Sequence, residues 1–218
     1  MEKLLFWMVL IVGTVALVGS CAKKDDSTAA TTTATFTSTT TAAGSITVGS
    51  ETMSGTYVSG CNTTGVAAAV SGGYFPSDVV ANRDVIVVTG SDNVSEESHF
   101  YTDTSCSTLS VYLKNGNDNF TVGDQSGDYY KVTYYEGGFK IKADTAVAEA
   151  YYENHFSTNS ITNAGTAVDL VVGTEYSMGG SGSSYMNLFS VTSTQVQKAE
   201  GQTSSYPTQM DSLEMAKQ

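Results

Sequence analysis

Positive charge is scarce in this chain. Ten Lys and Arg stand against 22 Asp and Glu in 218 residues, a formal charge of −12. Such an acidic chain repels phosphate backbones, so no nucleic-acid partner is expected. Proline occurs only at Pro76 and Pro207, and tryptophan only at Trp7. His99 and His155 are the only imidazoles. There is no C-x-x-C pair, no G-x-S-x-G elbow and no phosphate loop, since Gly179–Gly180–Ser181–Gly182 has no lysine after it. Serines and aspartates abound, but two histidines among many hydroxyls define no ordered triad. The Asn115–Asn119 stretch with Asp124 and Asp128 offers oxygen ligands without the order or terminal glutamate of an EF-hand, and reads as a solvated hairpin loop. The expectation is a protein that is not an enzyme and uses no metal or cofactor.

Long apolar runs are also missing, with one exception. Residues 4–12 are uninterruptedly apolar and, after Gly13–Thr14, residues 15–18 continue the run. At about fifteen residues it is too short for a confident spanning helix and has the length of a signal-peptide core. Val18–Gly19–Ser20–Cys21 at its end resembles a bacterial lipobox. That resemblance implies a lipoprotein signal peptide over 1–20, a diacylglycerol on the Cys21 thiol and an acylated new amino terminus. It places the protein on the bacterial cell envelope, held to a membrane through Cys21. Ala22, rather than Asp, in the next position implies the outer membrane. An ordinary signal peptide with an incidental cysteine is the alternative. Residues 21–44 follow as a flexible tether, charged at first and then almost wholly Thr, Ser and Ala with a single Phe36.

Residues 45–218 are long enough for one domain with a real core. They are rich in Gly, Thr, Ser and Tyr, a composition that favours strands. If Cys21 carries lipid, Cys61 and Cys106 form an even pair in an oxidising compartment, and a disulfide is the default over a free thiol or half of a metal site. Short runs with a period of two, broken by Gly and Asn, suggest eight to ten strands of an antiparallel barrel or sandwich. Phe139, Ile141 and Ala143 alternate with Lys140 and Lys142, as a half-buried strand requires. Asn115–Gly116 carries a tight-turn signal, and Glu136–Gly137–Gly138 reads as a second hairpin turn. No segment shows a helical stripe, although residues 143–150 allow a short helix. The barrel is expected over about 52–198, with 202–218 as an extended tail against it. The adjacent tyrosines 129–130, 134–135 and 151–152 should point to opposite faces of strands.

"GTYVSGC" (55–61), followed by "HFYTDTSC" (99–106), resembles the lipocalin-like β-barrel of certain bacterial lipoproteins and of the ectodomain of a vertebrate membrane-bound Wnt inhibitor. The resemblance implies an all-β chain, one antiparallel barrel and a Cys61–Cys106 bridge. "SYPTQMD" (205–211) is similar to a closing R-P-T-x-x-D segment of such lipoproteins, with Tyr206 in place of the arginine. Three functions follow as expectations. The first is a non-catalytic binding module holding a small apolar ligand in the barrel. The second is a structural or protein-partner-binding surface lipoprotein with a filled barrel. The third, and least supported, is a hydrolase.

Overall fold

The computed structural model describes residues 36–163, 165–211 and 213–218. The expected signal peptide and Cys21 lie outside the described residues. In chain order the elements are β1 (Ile46–Val48), β2 (Glu51–Met53), β3 (Thr56–Ser59), α1 (Val66–Ser71), β4 (Ala81–Val88) and β5 (Val94–Tyr101). There follow β6 (Leu109–Ser126), β7 (Tyr129–Ala143), α2 (Ala146–Thr158), β8 (Thr162–Asn163) and β9 (Thr166–Ala167). Last come β10 (Glu175–Gly179), β11 (Ser184–Val191), β12 (Gln195–Lys198) and β13 (Glu214–Lys217).

Eight antiparallel strands close on themselves in the order β6-β7-β11-β12-β13-β3-β4-β5 and back to β6. The chain is all-β in architecture, a lipocalin-like barrel. β10 and β11 lie end to end along one edge of β7, Glu175 opposite Lys142 and Phe189 opposite Tyr130. They are one long strand interrupted by residues 180–183. Closure leaves no unpaired edge around the ring that would be open to strand addition.

Period-two alternation sets the two faces. Tyr57, Ile86, Val88, Val94, Val132, Tyr134, Phe189 and Val196 share the inner face and are buried. Phe139 and Ile141 are buried as expected, while the Lys140 side chain is half exposed and that of Lys142 about a quarter. The inner surface has three storeys. One apolar storey is stoppered by the β1–β2 hairpin through Ile46, Val48 and Met53. The other is stoppered by both helices, with Val66, Ala69, Ala148, Tyr152 and Phe156 packed on Phe100, Val111, Phe139 and Ile141. Between them lies a polar layer. Lys198 on β12 donates to Glu96 on β5 at 2.7 Å, and those strands are four apart in either direction round the ring. A single ion pair therefore spans the bore.

Several expectations are corrected. Neither Asn115–Gly116 nor Gly137–Gly138 turns the chain. Both lie inside long strands, with Gly116 opposite Gly138, and the β6–β7 turn sits at Gly127–Asp128, where Gly127 has φ +66°. Glycine in these strands serves a bulge instead: the register shifts between Gly116 and Asn117, and a side chain on Gly137 would collide with the Asp118 carboxylate. The short helix allowed over 143–150 is a 13-residue helix over 146–158, so Tyr151 and Tyr152 sit on a helix rather than on strands. The Thr145 hydroxyl caps it by accepting from the Ala148 N–H at 3.1 Å. Residues 66–71 form a second helix, which carried no expectation. The barrel does not end at Lys198, because residues 214–217 are an integral strand between β12 and β3. Tyr134 and Tyr135 do point to opposite faces, one buried and the other 48 % exposed.

Candidate functional site on the outer wall

Barrel walls normally put charge in water on their outer face, yet Glu97, His99 and Lys114 point outward and are buried. The cause lies at the other end of the sequence. Residues 36–44, taken from sequence as the last part of the tether, lie against the wall. Phe36 packs on Val58, Val85 and Val87 and meets the His99 ring edge-on at 4.9 Å. The Ser38 hydroxyl donates to both Glu97 oxygens at 3.0 and 3.1 Å, and the Thr40 hydroxyl donates to Glu97 Oε1. The Lys114 ammonium donates to the Thr39 hydroxyl. The Ala43 N–H donates to the Val88 carbonyl at 2.9 Å. This strap is why an apparently featureless Thr/Ser stretch keeps a fixed place.

Strand register builds the patch beneath it. One row runs Arg83, His99, Tyr112, Lys142, Glu175 across β4, β5, β6, β7 and β10. The next runs Val85, Glu97, Lys114, Lys140, Ser177. Of the described cations Arg83, Lys114, Lys131, Lys140, Lys142, Lys198 and Lys217, four therefore share this wall. His99 Nε2 lies 2.8 Å from Glu97 Oε2, and Lys140 pairs with Glu175 at 2.9 Å. Burial alone would raise the Glu97 pKa, but hydrogen bonds from His99 and Thr40 outweigh it and hold the carboxyl below its usual range. Burial pushes Tyr101, at the end of the same wall, up to about 12.

The chemistry of this arrangement is that of a clamp. A hydrolytic triad needs a hydroxyl bonded to the imidazole and the imidazole to a carboxylate. Here Ser38, Thr40 and His99 all converge on the same carboxylate, so the hydroxyls are spent as donors to Glu97. His155 stands elsewhere, on α2 beside Tyr151 and Tyr152, and burial lowers its pKa. Among the described residues, no three His, Cys, Asp or Glu gather as metal ligands would. Asn115 and Asn117, read as part of an oxygen-rich loop, are strand residues.

A second polar cluster fills the middle of the bore. Burial raises the Asp84 pKa despite the Ser98 hydroxyl donating to it at 2.9 Å. Asp211 and Glu200 are raised by burial too. For Lys198, burial works against the charge, but Glu96 wins and holds the ammonium well above its ordinary value. Asp211 belongs to the motif-like segment 205–211, and its backbone N–H reaches the Lys198 carbonyl at 3.3 Å. Tyr206 stands under a cation, with the Lys131 ammonium 5.1 Å from its ring centre.

Cys61 and Cys106 form the disulfide, with Cα atoms 5.8 Å apart. It joins the chain leaving β3 to the β5–β6 connection. Cys21, the third site residue read from sequence, lies outside the described residues. Sequence reasoning missed the clamp because its partners are 57 and 59 residues apart; the isolated Phe36 was the one available signal. No family model matches the chain, and no curated protein matches it.

Proposed function

We propose that the protein is an exported lipoprotein, anchored through acylated Cys21, whose barrel is a filled, rigid module that engages a protein partner with its outer surface. The observation that carries this reading is the occupied bore. Tyr57, Phe120, Tyr134, Tyr185 and Phe189 fill one storey at 6 % exposure or less, the Lys198–Glu96 pair crosses the middle, and two helices enter the third. A small apolar ligand would have to displace these side chains and desolvate a buried ion pair, which favours the filled barrel over the ligand-holding one. No helix among the described residues is long and apolar enough to cross a membrane. Two acyl chains suffice for a stable anchor, at roughly 0.8 kcal/mol per buried methylene.

Two measurements test the two halves. Metabolic palmitate labelling should mark the wild-type protein and not Cys21→Ser, and an unlabelled wild type overturns the anchor. Titration of the exported domain with an apolar fluorescent fatty acid should give no saturable binding; saturation at one equivalent, quenched by substitution of Phe189, restores the ligand-holding barrel.

A further inference from the structure

The geometry points to Arg83 on the outer wall as the centre of a carboxylate-binding site, an inference that goes beyond the partner reading above because a free carboxylate would serve as well as one carried by a protein. Arg83 is the only arginine in the chain. It stands on the outer face of β4 opposite His99. Even so it is only 5 % exposed, and its Nε and Nη1 are enclosed without a hydrogen-bond partner. Every other described cation is engaged. Lys140 and Lys142 pair with Glu175 and Asp144, Lys114 reaches Thr39 and Glu175, and Lys198 pairs with Glu96. Lys131 lies over the Tyr206 ring, and Lys217 donates to Ser54. Arg83 alone among them has no ion pair, hydrogen bond or ring contact.

A guanidinium keeps its proton in a protein, so deprotonation does not relieve its burial. A water molecule satisfies an N–H but does not neutralise a buried charge, whereas an oxyanion does both. The surroundings select the kind of oxyanion. Glu97, on the neighbouring strand, is already committed to Ser38, Thr40 and His99. With the lysines of the wall paired as well, Arg83 offers one uncompensated positive charge, which suits a singly charged carboxylate over a doubly charged phosphate. Tyr101 supplies a second donor. It follows His99 by two residues on the same strand, and burial pushes its pKa up to about 12 against the pull of the Arg83 charge, so the hydroxyl keeps its proton. The wall is open beside the guanidinium. Ser59 accepts from the Asp84 N–H and Asn62 bridges Asn82, so Gly60 and Cys61 flank Arg83. Gly60 is exposed, and a side chain there would meet nothing within 4 Å.

A single arginine makes the test direct. Full-length protein grown on isotope-labelled arginine and held in detergent micelles gives one Nε–H resonance. That resonance is followed while sodium acetate, or an end-blocked peptide of aspartate and glutamate, is added. We expect a saturable downfield shift with acetate in the millimolar range, a weaker one with phosphate, and none with sodium chloride at equal ionic strength. A peptide that saturates at a concentration about tenfold lower than acetate ties the site to a protein partner. Equal saturation by the two keeps the site and removes its support for that partner. No saturation with either carboxylate, the same shift with chloride, or tighter binding of phosphate than of acetate overturns the inference. Arg83→Gln checks the charge itself. It should melt no lower than wild type in carboxylate-free buffer, and it should lose the rise in melting temperature that acetate gives the wild type. A variant that melts lower reveals a partner for Arg83 within the fold, and one that acetate still stabilises places the carboxylate elsewhere; either result overturns the site.

Discussion

At one end of the barrel the stopper consists of two helices and a disulfide; at the other it is a three-residue-by-three-residue hairpin, β1–β2, beneath acidic turns. Both stoppers bury apolar side chains, but they hold differently. The hairpin is a two-stranded sheet of its own that docks on the bore through Ile46, Val48 and Met53, beside strands of the ring, the long β6–β7 ribbon and the closing strand β13, that are joined by ladder hydrogen bonds. At the disulfide end the helices dock by side-chain packing and by hydrogen bonds from Thr145 to Asp78 and from Tyr151 to the Gly73 carbonyl, and the Cys61–Cys106 bridge ties the neighbouring connections covalently. A ring closed by backbone pairing thus carries a plug docked through side chains at each end, and the helical plug is the one flanked by a covalent tie.

Four predictions would sharpen or break that contrast, the largest first. Replacing Cys61 and Cys106 by serine should cost about 4 kcal/mol on the chain-entropy account, read by urea unfolding. Hydrogen exchange should show the loss first in α1 and β4 residues near Asn82, not in β6–β7 near Val122. Uniform loss of protection would refute the idea of two differently held ends.

Lys198→Met should cost about 3 kcal/mol, because it strands Glu96 in the bore between the two storeys. Adding Glu96→Gln should recover much of it, and a double variant no better than the single one would show that the pair is not coupled.

Tyr152→Phe should stabilise the helix end by about 1 kcal/mol, since the Tyr152 hydroxyl is buried with no hydrogen-bond partner among the described residues. A lowered melting temperature would reveal a partner for that hydroxyl.

The smallest effect concerns the strap. The Glu97 carboxyl is held below its unfolded value, so its contribution is present above that unfolded value and lost as pH falls through the lowered folded one. Amide exchange of Thr40 and Ala43 should therefore accelerate on acidification, and Glu97→Gln should remove the pH dependence. Protection that is flat with pH in the wild type would separate the strap from Glu97.

Much of the wall was legible in the sequence. Alternation at Phe139–Ala143 fixed which face of β7 is inside, and the cysteine arithmetic, joined to the resemblance, paired Cys61 with Cys106. What misled were glycines. Asn115–Gly116 and Gly137–Gly138 carry turn chemistry, yet each lies opposite the other across two strands. Local φ preference is worth less there than the ladder on both sides, and nothing in either segment alone announces its partner. The full length of helix α2 was not legible beyond the short helix allowed over 143–150, because its inner face, Ala148, Tyr152 and Phe156, mixes a small residue with aromatics that strand propensity also favours.

The sequence by itself determined that this is an acidic, strand-rich chain with one apolar run, near its start, followed by Cys21, since charge, period and cysteine spacing are local or additive properties. Tertiary structure alone decided that β13 closes the ring, that Lys198 meets Glu96 across the bore, and that residues 36–40 cover a buried carboxylate on the outer wall. Each of those joins residues from about 57 to more than 150 positions apart, where the free energy depends on burial and on partners brought together by closure, and no pattern along the chain encodes it.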